Sequence, residues 1–143
     1  MYWAFIGGLV FQRHGVRGVL QAGTMLWPAF EDDDVNDTHY GYEWSPEHEA
    51  SQAALMLGLI PEIHTWLALP ETQEIVDFSV KYLPQSAARD GKVWVKPNPP
   101  DFLWVTEDAM PEGVVYRPEI EACHWMHRRL MKDGHLRSEA VTP

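Results

Sequence analysis

Between Ile63 and Ser79 two short runs of strand-forming residues flank Pro70-Glu71-Thr72-Gln73, and no other stretch restricts the fold as tightly. Four-residue loops of this kind close antiparallel hairpins. If Leu69 pairs with Glu74 across the loop, then Ala68 faces Ile75, Trp66 faces Asp77 and His64 faces Ser79. Side chains alternate along a strand, so His64, Trp66, Ala68, Ile75, Asp77 and Ser79 share one face. Asp77 is then the diagonal neighbour of His64, about 7–8 Å away at Cα and within side-chain reach. A carboxylate so placed holds an imidazole in one tautomer and stabilises its protonated form. The plainer alternative is a histidine satisfied by a nearby acid at a sheet edge.

The flanking sequence supplies helices on both sides of this hairpin. Residues 2–14 are apolar almost all round for their first ten positions, which predicts a short buried helix that His14-Gly15 stops. Residues 16–27 read as a strand with a bend, where Gly18 and Gly23 mark bulges or close backbone approach. Residues 31–38 form an acidic loop, and Ser45-Pro46 opens a helix running to Met56, serine capping and proline leading. Residues 84–100 hold four prolines and read as a loop, with a strand only at 92–95. Residues 102–105 and 114–116 are further strand candidates. Residues 119–133 form the clearest helix, acids at its start and Arg128, Arg129 and Lys132 at its end, with Gly134 closing it. The expectation is an α+β fold over residues 1–134, an antiparallel sheet packed on a buried N-terminal helix plus a C-terminal helix. Residues 135–143 read as a flexible tail.

Composition narrows the partners. The chain has 143 residues, the size of one ordinary domain, and a formal net charge of −10. A field of that sign repels phosphate backbones and anionic bilayers, so neither nucleic acid nor membrane is expected as a partner. One cysteine excludes an intramolecular disulfide and fits a reducing cytoplasm. The apolar stretch 2–11 is too short to span a bilayer and has no basic segment before it, so it reads neither as anchor nor as signal peptide. Seven tryptophans mark cores, pockets or interfaces without distinguishing them.

The segments Ile63-His64-Thr65-Trp66 and Glu74-Ile75-Val76-Asp77-Phe78 resemble the His-x-Trp and Ile-x-Asp strand pair of papain-like and transglutaminase-like thiol proteins. In that superfamily a cysteine sits at the amino end of a buried helix, strands follow, then the histidine, then the acid about one hairpin later. The order here is the same over roughly residues 1–84, an approximate span. The resemblance implies a cysteine-protease-like fold with His64 and Asp77 as a catalytic dyad. It places the cysteine at or just before Met1, Tyr2 or Trp3, and none of these is a thiol. Tyr2, Trp3, Trp66 and Ser79 are then the expected pocket.

Cys123 is the one thiol in the sequence. It lies on the last helix beside Ile120, Met126, His127, Leu130 and Met131, where burial as a small apolar residue is the simpler reading. Cys123, His124 and His127 also share helical spacing, but no second ligand pair accompanies them, so no metal site is expected. The acidic loop lacks the glycine and closing glutamate of a calcium hand. No other cofactor motif is present, and none is expected. Two functions follow from the resemblance. One is a non-catalytic relative whose cleft binds a peptide, small amide or partner protein. The other is a thiol hydrolase or acyltransferase using Cys123 or a cysteine upstream. Exposed Tyr2 and Trp3 at the start of the first helix further imply a homodimer that covers them.

Overall fold

The computed structural model describes residues 2–31, 38–44, 49–57 and 63–134. Its first helix, α1 (Tyr2–Arg13), ends in a double hydrogen bond: Gly15 N–H donates to the Gln12 carbonyl at 3.1 Å and Val16 N–H to the Phe11 carbonyl at 2.9 Å. This closure requires Gly15 in the left-handed region, at φ 73°. It consumes the residues that the sequence pattern assigns to the strand, so β1 starts later, at Val19, and runs to Pro28.

The remaining elements are β2 (His39–Tyr42), α2 (Glu49–Met56), β3 (His64–Leu69), β4 (Glu74–Asp77), α3 (Leu83–Arg89), β5 (Leu103–Thr106), β6 (Val115–Pro118) and α4 (Ile120–Lys132). They form an α+β fold around one curled, half-barrel antiparallel sheet in the order β2-β1-β3-β4-β5, with β6 also paired to β1. The expected serine cap at Ser45, the acidic stretch 32–37 and the tail 135–143 lie outside the described residues.

The pivot is β1, which pairs with β3 from Val19 to Gly23, with β6 from Gly23 to Leu26 and with β2 from Met25 to Pro28. At Gly23 the backbone of the β6–α4 junction comes so close that an added Cβ would lie 2.8 Å from Glu119 N. The close approach expected at Gly23 is therefore real. Gly18 has no such constraint, because a Cβ there would meet Leu69 at an ordinary 3.5 Å.

One correction concerns residues 84–100. The sequence pattern suggests a loop, but Leu83–Arg89 is helical. Pro84 sits in the first turn, where no intrahelical donor is needed, and Leu83 and Ala87, one turn apart, both face the core. Nor do residues 92–95 form a strand: Val95 and Lys96 N–H both donate to the Ala29 carbonyl, and Trp94 packs against Tyr40 at 6.3 Å.

Two apolar layers cover the two sheet faces. Leu67, Leu69 and Val76 lie against Phe11 and Phe78 under α1. Ala22 packs with Ala122, Met126 and Leu130 of α4 and with Phe5 of α1. On the inner face Met25, Trp27, Tyr40, Val80, Leu83, Ala87 and Leu103 form the largest cluster. Gly7 lets α1 settle onto the sheet, since a Cβ there would collide with the Phe78 ring and lie 3.2 Å from Leu67.

Candidate functional site

The β3–β4 hairpin has the register that its loop dictates: Leu69 pairs with Glu74, Ala68 with Ile75 and Leu67 with Val76. Alternation then turns Thr65 and Leu67 towards the helices and His64 and Trp66 to the inner face, joined by Asp77 at the end of β4. His64 Nε2 donates to Asp77 Oδ2 at 2.5 Å. Both residues are buried, Asp77 to 1% exposure.

Asp77 is the hub. Its Oδ2 also accepts from the Tyr116 hydroxyl at 2.7 Å, while Oδ1 accepts from Ser79 N–H at 2.8 Å and from Ser79 Oγ at 2.6 Å. Burial is the largest single influence on this carboxyl and works against ionisation. The charge of His64 and the hydrogen bonds from His64, Ser79 and Tyr116 together outweigh it, so the group titrates below the ordinary 3.8. For Tyr116 the same surroundings act in one direction: burial first, then the charge of Asp77 and the bond to it, push the phenol well above its ordinary 10.0. An ionised Asp77 fixes the tautomer in which Nε2 carries hydrogen, leaving Nδ1 as the ring nitrogen that Asp77 does not use.

Aromatic rings hold the imidazole in plane. Tyr42 stacks on His64 at 5.5 Å and 18°, Trp66 at 6.3 Å and 20°, and Tyr116 meets it edge-on at 6.2 Å and 64°. Tyr42 and Tyr116 were not legible as site residues. Each reaches the site through a pairing with β1, in which Met25 opposes both Tyr42 and Tyr116. Residues 114–116 do read as a strand, but nothing local says which strand it joins.

The order of bonds decides what the cluster can do. A hydroxyl nucleophile works when the imidazole lies between it and the carboxylate. Here Ser79 Oγ bonds to Asp77 instead of His64, so the carboxylate is central and Ser79 is a buttress.

The other expected site residues lie elsewhere. Cys123 packs where α4 meets β1: its Sγ accepts from Ala22 N–H at 3.2 Å and lies 3.3 Å from the Ala22 carbonyl. Ala22 pairs with Thr65, on the sheet face opposite His64. Trp3, 55% exposed, lines a groove of about 480 Å³ with Ile6, Val10, Phe78 and Phe102, which corrects its expected grouping with Trp66 and Ser79. The Tyr2 side chain lies outside the described residues. A second cavity of about 560 Å³ opens between α1 and α4. Neither cavity is lined by His64 or Asp77. Among the described residues no group of three His, Cys, Asp or Glu side chains is placed to hold a metal ion, and no helix is long and apolar enough to cross a membrane.

No protein family, no curated protein and no solved structure matches this chain.

Proposed function

We propose that this chain is a non-catalytic relative of the papain-like and transglutaminase-like fold, binding a peptide, a small amide or a partner protein through the His64 end of its sheet. The observation that carries this reading is the aspartate-centred network. Both Asp77 oxygens are occupied by four donors, and His64 is one of them rather than a relay to a nucleophile. Such a network fixes the imidazole and leaves Nδ1 as the group able to meet a ligand's polar atom. His64 opens β3 and Asp77 closes β4, so the pair sits at the end of the hairpin far from its loop.

The family reading draws support from an amino-terminal helix lying on an antiparallel sheet and from the His–Asp contact on adjacent strands. The helix is not the buried one the sequence pattern suggests, since it covers the sheet with one face and leaves Trp3, Ile6, Leu9 and Val10 exposed. A thiol hydrolase needs sulfur beside the imidazole, and Cys123 lies on the opposite face. One feature favours that second reading: Phe5, in the first turns of α1, packs against the same apolar cluster as Ile63, the residue before His64. A cytoplasmic, homodimeric protein is part of the same proposal, the pair forming through Trp3, Ile6 and Val10 of α1, each about half exposed.

The test is a turnover screen with nitrophenyl acetate, fluorogenic peptide amides and glutamine amides. Wild type, His64→Gln and Cys123→Ala are compared. No turnover in any form is the expected result. Hydrolysis or acyl transfer lost in His64→Gln would overturn the non-catalytic reading, and loss in Cys123→Ala as well would identify the nucleophile.

A further inference from the structure

The cavity between α1 and α4 lies on the sheet face that His64 does not occupy, and it differs from the rest of the molecule in charge. Phe5, Leu9, Leu20, Leu67, Met126 and Leu130 supply its apolar lining. Its volume, about 560 Å³, is within the range of small-molecule sites, and the space between packed helices is a common place for one. The polar lining consists of Gln12, Arg17, His124, His127 and the already bonded Cys123. No aspartate or glutamate is among the described lining residues, although the chain carries 21 acids against 11 lysines and arginines.

Arg17 is well placed to receive a charge. Its ion pair with Glu71 is 4.0 Å long, and both side chains are more than 70% exposed. A pair of that kind is weak and easily exchanged. Leu9, Val16 and Val19 at the mouth are 39–44% exposed, so the apolar interior continues to the surface. An apolar trough with an arginine and no acid among its described lining residues, the arginine held only by an exposed pair with Glu71 outside that lining, matches one ligand chemistry: an aliphatic tail ending in an anion.

We infer that the α1–α4 cavity binds an amphiphilic carboxylate of the fatty-acid class, its tail between the helices on Leu67 and Met126 and its head group at Arg17. This site is independent of the His64 proposal, because the two lie on opposite faces of one sheet.

The experiment is calorimetric titration of the full chain with dodecanoate, below its micellar concentration, against dodecyltrimethylammonium as a cation of matched tail. The overall charge of −10 draws the cation by non-specific attraction, so preference for the anion is diagnostic. Dodecanoate is expected to bind saturably, one per chain, and more tightly than the cation. Arg17→Glu, at an exposed position that folding tolerates, should weaken it by about tenfold. Leu20→Trp, which fills the trough, should abolish it, and His64→Gln should leave it unchanged. Absence of saturable binding by the folded chain, equal or tighter binding of the cation, or an Arg17→Glu variant with unaltered affinity would each overturn the assignment.

Discussion

Replacing Asp77 is the most informative perturbation of the buried network. In Asp77→Ala, His64 Nε2, Tyr116 O–H, Ser79 N–H and Ser79 O–H all lose their acceptor in a site that is 1% exposed. A buried donor left without a partner costs about 1–3 kcal/mol, and removing one member of a buried charged pair costs about 3–5 kcal/mol. These terms overlap, because Ser79 can rotate to another acceptor, so the expected loss is about 4 kcal/mol. Asp77→Asn keeps the shape and one carbonyl acceptor. Oriented to serve Ser79, its amide presents hydrogens to His64 and Tyr116, so about 2–3 kcal/mol is expected. Urea unfolding followed by tryptophan fluorescence and by circular dichroism reads both values, with the slope checked for constancy. A double-mutant cycle with Tyr116→Phe then isolates the Tyr116–Asp77 bond: Tyr116→Phe should cost about 1.5–3 kcal/mol in wild type and less than half of that in Asp77→Asn. Asp77→Ala within about 0.5 kcal/mol of wild type, or additive cycle values, would refute the reasoning that Asp77 organises this face.

Acid should act through the same group. Because Asp77 titrates below its ordinary 3.8 in the folded chain, the unfolded chain takes up its proton first, so the contribution is full above that value and lost as pH falls through the folded one. The acid limb of a stability–pH curve should therefore be steeper in wild type than in Asp77→Asn. At the alkaline end the sign reverses for Tyr116: its raised phenol keeps its proton when the unfolded chain loses one near 10.0, so this contribution holds below that pH and fades above it. An ultraviolet phenolate titration should show one late-ionising tyrosine fewer in Tyr116→Phe than in wild type. Light scattering after gel filtration should give a dimer for wild type and a monomer for Ile6→Asp; a wild-type monomer at high concentration would count against pairing through α1.

What the sequence reveals here depends on the range over which the determining forces act. The hairpin register follows from a four-residue loop and strict alternation, both local, and it brings His64 to Asp77 without further information. Helices α1 and α4 are equally legible, through an apolar run closed by glycine and through ordered terminal charges. The first turn of α3 is obscured because proline usually signals a break, and only its position inside the helix start makes Pro84 compatible. Tyr116 reaches Asp77 from 39 residues away, through β6 docking on the middle of β1. That docking depends on Gly23 admitting the backbone at Glu119, a tertiary fit with no periodic signature. Cys123 illustrates the converse: its helix position shows burial, but only the structure shows which face it occupies.

The central claim is that Asp77 locks His64 with Nε2 protonated so that Nδ1 serves as a binding group without an attached nucleophile. Two-dimensional nuclear magnetic resonance of the histidine ring nitrogens, recorded with and without N-acetyl amino-acid amides as probes, tests it most directly. The predicted spectrum shows the His64 Nε2–H tautomer in the free chain and a saturable shift at Nδ1 on adding an amide, with the probe recovered intact and no shift at His14 or His39. A His64 ring protonated on Nδ1 alone, a ring indifferent to every amide, or release of hydrolysed probe would contradict the account.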